Sequence, residues 1–235
     1  MKTKLVNLLI ILLIFATTLV AILYLPDEVP VHFGVDGEPD RFGSKYELFI
    51  LPASALLIWI LADRGINVFT KKSGLGDEEK AKSDIEANEK ATNTTLTATS
   101  AVLFFLNFGV LYMTFSNIPS YSLPEIDIIK ILVMLLGLMM IFMGNVMPKT
   151  RTNSLIGFRC RWTMYNDITW RKSNLFAGFV CMISGVLSII TGLIFKGIVA
   201  AMIMLGVMIC ASTVMMIYAY NVYKKERNNG KFFEK

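Results

Sequence analysis

Apolar residues gather into six long blocks, Leu5 to Leu25, Leu48 to Ala62, Leu96 to Phe115, Ile128 to Met147, Leu175 to Phe195 and Ile198 to Tyr220. At about 1.5 Å per helical residue, a block of about 20 crosses a hydrocarbon core of about 30 Å, and all but the second reach that length. The second has a strictly apolar run of only 15 residues and contains Pro52. Ser44 followed by Glu47 forms a capping-box pattern that starts this helix earlier, and Arg64 can snorkel at its far end, so it too is predicted to span, with a kink. The pattern predicts an all-α polytopic membrane protein of six transmembrane helices. The first block has no A-x-A site behind its 21 apolar residues and is expected to be an uncleaved anchor.

Composition agrees with this. Of 235 residues, 54% are hydrophobic and 17% charged, against about 45–50% and 25% in soluble domains, which removes the globular enzyme classes as a default. The net charge of +5 is dispersed between the apolar blocks, so it points to topology control and not to a nucleic-acid surface. With both termini cytoplasmic, 19 of the 23 basic residues fall on the inside and only Arg41, Lys45, Lys130 and Lys196 outside. Omitting the second span would place the six basic residues from Arg64 to Lys90 outside. The stretch Lys71 to Thr95 is charged and mixed in sign, with a Ser83 to Glu86 capping-box pattern, and reads as a solvated helical linker. The expected organisation is a two-span module over 1–70, the linker over 71–95 and a four-span module over 96–235.

Within the spans the ionisable side chain is Lys130, near the outer end of its helix, so the membrane-depth charges of pumps and proton relays are missing. Asn107, Asn145, Ser184, Ser188 and Thr191 are expected to serve as interhelical hydrogen-bonding groups more than as a substrate path. Gly178, Gly185 and Gly192 recur every seven residues in the fifth span, a stripe that predicts close helix packing. Cys160, Cys181 and Cys210 form no CxxC and stand with one histidine in the chain, so they suit neither a disulfide framework nor a thiolate metal site. No cofactor motif is present.

Two loops carry the candidate chemistry. The outer loop, Leu25 to Lys45, holds six Pro or Gly residues and the single histidine, and is expected to fold against the outer face. His32 with Asp36, Glu38 and Asp40 is a candidate divalent-cation set, weighed against a structural loop with an acidic surface, and Lys45 closes the segment. The inner loop, Pro148 to Asn174, contains four of the seven arginines and two of the three tryptophans, although Lys outnumbers Arg 16 to 7 overall. Ile156, Phe158, Cys160 and Trp162 alternate with Gly157, Arg159 and Arg161, which predicts an apolar side against lipid and a guanidinium side facing the cytosol. Arg offers a planar fork for carboxylate or phosphate, so a specific partner contact at Arg159, Arg161, Trp162 and Trp170 competes with simple anchoring in the headgroup belt.

The outer segment LP-x-x-VPVHFG-x-x-GEPDRFGSK and the inner segment GN-x-x-PK-x-R-x-N-x-x-IGFR-x-RWT-x-x-x-x-x-x-W resemble the two signatures of the SdpI-type immunity family of bacterial membrane proteins. The first resembles an N-terminal domain of uncharacterised function often fused to that family. The matched positions are Pro30, His32, Phe33, Gly37, Asp40 and Lys45 outside, and Asn145, Pro148, Lys149, Asn153, Gly157, Arg159, Trp162, Thr163 and Trp170 inside. Asn174 stands where the family more often has His. The resemblance implies a multi-pass protein of the bacterial cell membrane that protects a producing cell against a secreted toxin peptide. In some members this is joined to holding a transcriptional autorepressor at the membrane, with no catalytic or cofactor residues. The alternatives are a small-molecule transporter, which would want a polar cavity around Asn107 and Asn145, and a metal-dependent membrane enzyme built on the His32 loop.

The topology is tested by single cysteines at Glu38 and Lys82 in a background lacking the three native thiols. In intact cells a membrane-impermeant maleimide is expected to label E38C and spare K82C. The reverse pattern would invert the assignment.

Overall fold

The computed structural model describes residues 2–34, 38–72, 78–119, 126–153 and 156–233. The helices are α1 (Lys2–Tyr24), α2 (Ile50–Lys72), α3 (Glu78–Ser116), α4 (Ile128–Val146), α5 (Asp167–Ile194) and α6 (Gly197–Phe233), with strands β1 (Glu28–Phe33) and β2 (Pro39–Ser44) between the first two. Among the described residues, all six helices contain a stretch long and apolar enough to cross a membrane. The chain is an all-α multi-pass membrane protein with one small hairpin.

The strands Glu28–Phe33 and Pro39–Ser44 form a bulged antiparallel hairpin, in which Val29 pairs with Gly43 and His32 with Arg41. Val29 is fully buried in a cluster with Ala21, Leu25, Leu48 and Leu111. The Thr114 hydroxyl donates to the Pro30 carbonyl at 3.2 Å. The described part of this loop is thus seated on the tips of α1 and α3. The Ser44–Glu47 box is present: Ser44 N–H donates to Glu47 Oε1 at 3.2 Å, and Tyr46 N–H to Ser44 Oγ at 3.4 Å. It caps a 3₁₀ turn (Lys45–Phe49) that leads into α2. Pro52 then falls in the first turn of α2, where its missing N–H is among those with no intrahelical partner, so the expected kink has no cause there.

α1 and α3 run parallel, joined by Thr18 Oγ1 donating to Asn107 Oδ1 (3.2 Å) and Asn107 Nδ2 to Thr17 Oγ1 (3.4 Å). Asn107 thus acts as interhelical glue, as expected. Lys4 meets Asp63 at 2.7 Å, Arg151 meets Asp84 at 3.5 Å and Lys172 meets Glu226 at 2.9 Å, gathering the start of α1, the end of α2, the start of α3 and the end of α6 at one end of the bundle. At the other end Asp127 caps α4 through Lys130 N–H (2.9 Å) and accepts from Gly197 N–H (2.8 Å), the turn glycine at φ +51° between α5 and α6.

The tightest contact is between α4 and α5. A Cβ on Gly144 would lie 2.5 Å from the Gly178 carbonyl oxygen, and one on Gly178 2.5 Å from that of Gly144. Gly137 and Gly185 repeat the arrangement at 2.7 and 2.4 Å, and Gly192 faces Met134 and the Lys130 carbonyl. The predicted stripe on α5 is a packing stripe, and its partner on α4 has the same seven-residue interval. Lipid supplies no hydrophobic drive between helices, so backbone proximity at small residues has to supply the attraction.

Gly144→Leu or Gly185→Leu places a side chain against backbone that cannot yield, and is expected to destabilise by at least about 1–3 kcal/mol. Gly206→Ala on α6 meets nothing within 4 Å and should be neutral or slightly stabilising. Reversible unfolding of the purified protein in mixed micelles compares them.

Candidate functional site: the loop between α4 and α5

The loop starts where Pro148 packs on Gly178, so that a Cβ on Gly178 would meet the Pro148 ring at 2.9 Å. Met147–Lys149 form a 3₁₀ turn, and Lys149 Nζ donates to Asn145 Oδ1 at 3.0 Å with both residues exposed. Trp170, in the first turns of α5, is 2% exposed, and its Nε1 donates to the Thr150 carbonyl at 3.1 Å. Gly157 adopts φ +117°, in the region that favours glycine, and a Cβ there would strike the Trp170 ring at 2.9 Å. Trp170 is a peg that the loop closes around and offers little surface to a partner.

Amide and hydroxyl side chains then fix the loop backbone. Asn153 Nδ2 donates to the carbonyls of Arg151 (2.6 Å) and Ile156 (3.0 Å), while its Oδ1 accepts from Ile156 N–H (2.8 Å). Buried Asn174 accepts from Phe158 N–H at 2.7 Å and donates to the Trp170 carbonyl at 3.1 Å. The Thr163 hydroxyl accepts from Cys160 N–H at 2.9 Å, and Asn166 with Thr169 forms a reciprocal box at the start of α5. The residue at 174 is therefore a loop staple, a role that only the fold reveals.

The alternation over 156–162 survives as exposure and not as a strand. Ile156 is buried, Phe158, Cys160 and Trp162 are half-buried, and Arg159 and Arg161 are exposed. Gly157 and the turn at 161–164 break the extended geometry that the period-two pattern predicted. The inward side also differs: Trp162 packs edge-on to Tyr220 (ring centroids 5.1 Å) and Tyr165 to Tyr223 (5.0 Å), so the loop leans on the end of α6. Neither Arg159 nor Arg161 makes an ion pair among the described residues.

One contributor was missed at the sequence level. The stretch 78–95 is the first part of α3, continuous with the third span, and it docks on this loop. Arg151 N–H donates to Asn88 Oδ1 at 2.9 Å, and Asn153 Nδ2 reaches the same oxygen at 3.3 Å. Ala91 is buried with Val146 and Ile156. Ser83 and Glu86 lie inside the helix, not at its start, because Glu78 to Lys82 are strong helix formers that extend it upstream. Asp84, Asn88 and Ala91, spaced three or four apart, share one helical face, which is the signal that the mixed charge pattern hid.

The hairpin residues lie at the opposite end of the bundle. His32 Nδ1 and Asp40 Oδ1 are 2.5 Å apart and exposed, whereas Lys45 turns to Asp27 (3.0 Å) and the Leu25 carbonyl (3.2 Å). Glu38 is exposed, and its carbonyl accepts from Gly34 N–H. Asp36 and Gly37 lie outside the described residues. Among those described, no group of three His, Cys, Asp or Glu side chains converges as a metal site.

Residues 149–219 match the SdpI/YfhL protein family, and residues 9–56 match a domain of unknown function, DUF1648. The chain is 24% identical over 225 residues to "Immunity protein SdpI" of Bacillus subtilis (strain 168), covering 96% of this chain and 98% of that protein. It is 46% identical over 65 residues to an uncharacterized protein of Archaeoglobus fulgidus, covering 28% of this chain and 33% of that one. No solved structure matches. The resemblance carried by the two loops is borne out in both segments.

Asn174→Ala leaves the Phe158 N–H without its partner, at an expected cost of about 1–3 kcal/mol paid mostly by the loop. Amide hydrogen exchange should show lost protection over 156–163, with the middle of α4 and α5 unchanged.

Proposed function

We propose that this chain, whose residues 149–219 match the SdpI/YfhL protein family, acts as an integral membrane immunity protein, protecting the producing cell against a secreted antimicrobial peptide. The observation that carries the reading is similarity to a protein named for immunity along nearly the whole length of both chains, the hairpin and the α4–α5 loop included. In this reading both termini and the α4–α5 loop face the cytoplasm of the plasma membrane, and the hairpin faces out.

The α4–α5 loop is the proposed docking surface for a cytoplasmic partner, a transcriptional autorepressor held at the membrane. Asn153, Gly157, Thr163 and Trp170 are occupied in building the loop, whereas Arg159 and Arg161 do no internal work and project from a backbone pinned on both sides by Asn174 and Thr163. Guanidinium groups on a fixed backbone lose less entropy on binding carboxylate than mobile lysines do. The Asn107 amide is bonded to Thr17 and Thr18, which supports a packing role there over a substrate path.

Expression in a bacterium sensitive to the peptide encoded beside the gene should raise survival, and no protection would overturn immunity. The R159K/R161K double variant keeps charge but loses the forks. Losing bidentate pairs worth roughly 1.5–3 kcal/mol should lower repressor recruitment to membranes by on the order of tenfold or more, with insertion and protection retained.

A further inference from the structure

Beside the α4–α5 loop lies a cleft of about 670 Å³ whose lining includes neither Arg159 nor Arg161, within the roughly 300–1,000 Å³ of small-molecule sites. Four cations line it, Lys149, Arg151, Arg171 and Lys172. Two are already compensated, Arg151 by Asp84 and Lys172 by Glu226. Lys149 meets only the neutral amide oxygen of Asn145, and Arg171 makes no ion pair among the described residues. Asp167 also lines the cleft, its carboxylate accepting from the Thr152 hydroxyl at 2.8 Å, so it offsets part of the charge of Lys149 and Arg171 without pairing directly with either among the described residues. The cleft keeps an excess of positive charge, and it sits where candidate spans Ile128–Lys149 and Asp167–Ile194 both end, which is headgroup depth once those spans cross a bilayer.

Its walls identify the ligand class. Ile168 and Leu175, both in the cleft, are exposed, and Leu175 continues into Phe179, Val186 and Leu193 on the same face of α5, all exposed along the span. Arg171 stands on that face between Ile168 and Leu175. A soluble anion would use the charges and leave the apolar track idle. A molecule with a phosphate head and acyl chains uses both.

We propose that this cleft is a binding site for an anionic phospholipid, its phosphate held by Lys149 and Arg171 and one acyl chain laid along Leu175, Phe179 and Val186. Charge-assisted bonds from Arg and Lys recognise the phosphate, and the choline of a zwitterionic lipid would bring a positive charge toward the same cations. The site needs only insertion in a bilayer and stands independently of how Arg159 and Arg161 are used.

Native mass spectrometry of the full-length protein in detergent tests it, titrating phosphatidylglycerol or phosphatidylcholine of identical chains. The first phosphatidylglycerol should bind more tightly than phosphatidylcholine, with Lys149 and Arg171 each contributing about 5-fold. K149Q/R171Q should abolish the preference, R171Q alone should reduce it by about 5-fold, and R159Q/R161Q should leave it intact. Because Arg171 is exposed and makes no side-chain bond among the described residues, R171Q reports even where the double variant fails to fold. Equal binding of the two lipids, or equal loss in the R159Q/R161Q variant, would overturn the proposal. So would displacement by glycerol phosphate or an acidic peptide at concentrations matching the lipid, which would make the cleft a soluble-anion or protein site.

Discussion

The contact between α4 and α5, where glycine faces backbone at 144/178 and 137/185, is the constraint on which the rest of the α4–α5 region depends. In a bilayer these helices gain nothing from hiding Leu or Ile from lipid, so their association must come from van der Waals contact at short range. Glycines every seven residues on both helices keep the contact in register along the antiparallel pair. That register decides where Pro148 meets Gly178 and where Trp170 stands relative to Thr150. The loop joining the two helices thus begins and ends on fixed posts.

From those posts the loop is built by side chains that satisfy backbone groups with no regular partner. Asn153, Thr163 and Asn174 each bond main-chain N–H groups or carbonyls of the loop, and Trp170 fills its centre. A 20-residue connection at a membrane interface leaves many polar backbone groups near a low-dielectric boundary, where each one unpaired is costly. Amide side chains, which donate and accept together, meet that need from few positions. Once the backbone is fixed in this way, the cations divide into two groups. Arg159 and Arg161 point out from the loop, and Lys149 and Arg171 point into the neighbouring cleft.

The first part of α3 ties the N-terminal half of the chain to this construction. Asn88 and Asp84 bond the same loop that Asn174 holds from the other side, while far along the same helix Asn107 holds α1 and Thr114 holds the hairpin. One 39-residue helix therefore touches both loops singled out in the sequence, at opposite ends of the bundle. It is a continuous physical connection between the two, though a coupling between them would require two alternative arrangements of that helix.

The sequence by itself determined the six spans, the glycine stripe on α5, the glue role of Asn107 and the turn-rich character of the loop after α1, because each depends on local length, spacing or turn chemistry; that this loop holds two paired strands came from the structure. It also separated buried from exposed positions over 156–162, since a period-two alternation marks sides whatever the backbone does. What it left undecided were matters of long-range proximity. That Gly137 and Gly144 face the α5 stripe, that Asn88 serves the loop from α3, that Trp170 is a peg while Arg159 is free, and that Lys149 and Arg171 share a cleft all require the register of one helix against another. Only the tertiary structure decided them, because that register is set by backbone contact between distant segments, and no local pattern records which face of a helix another backbone will touch.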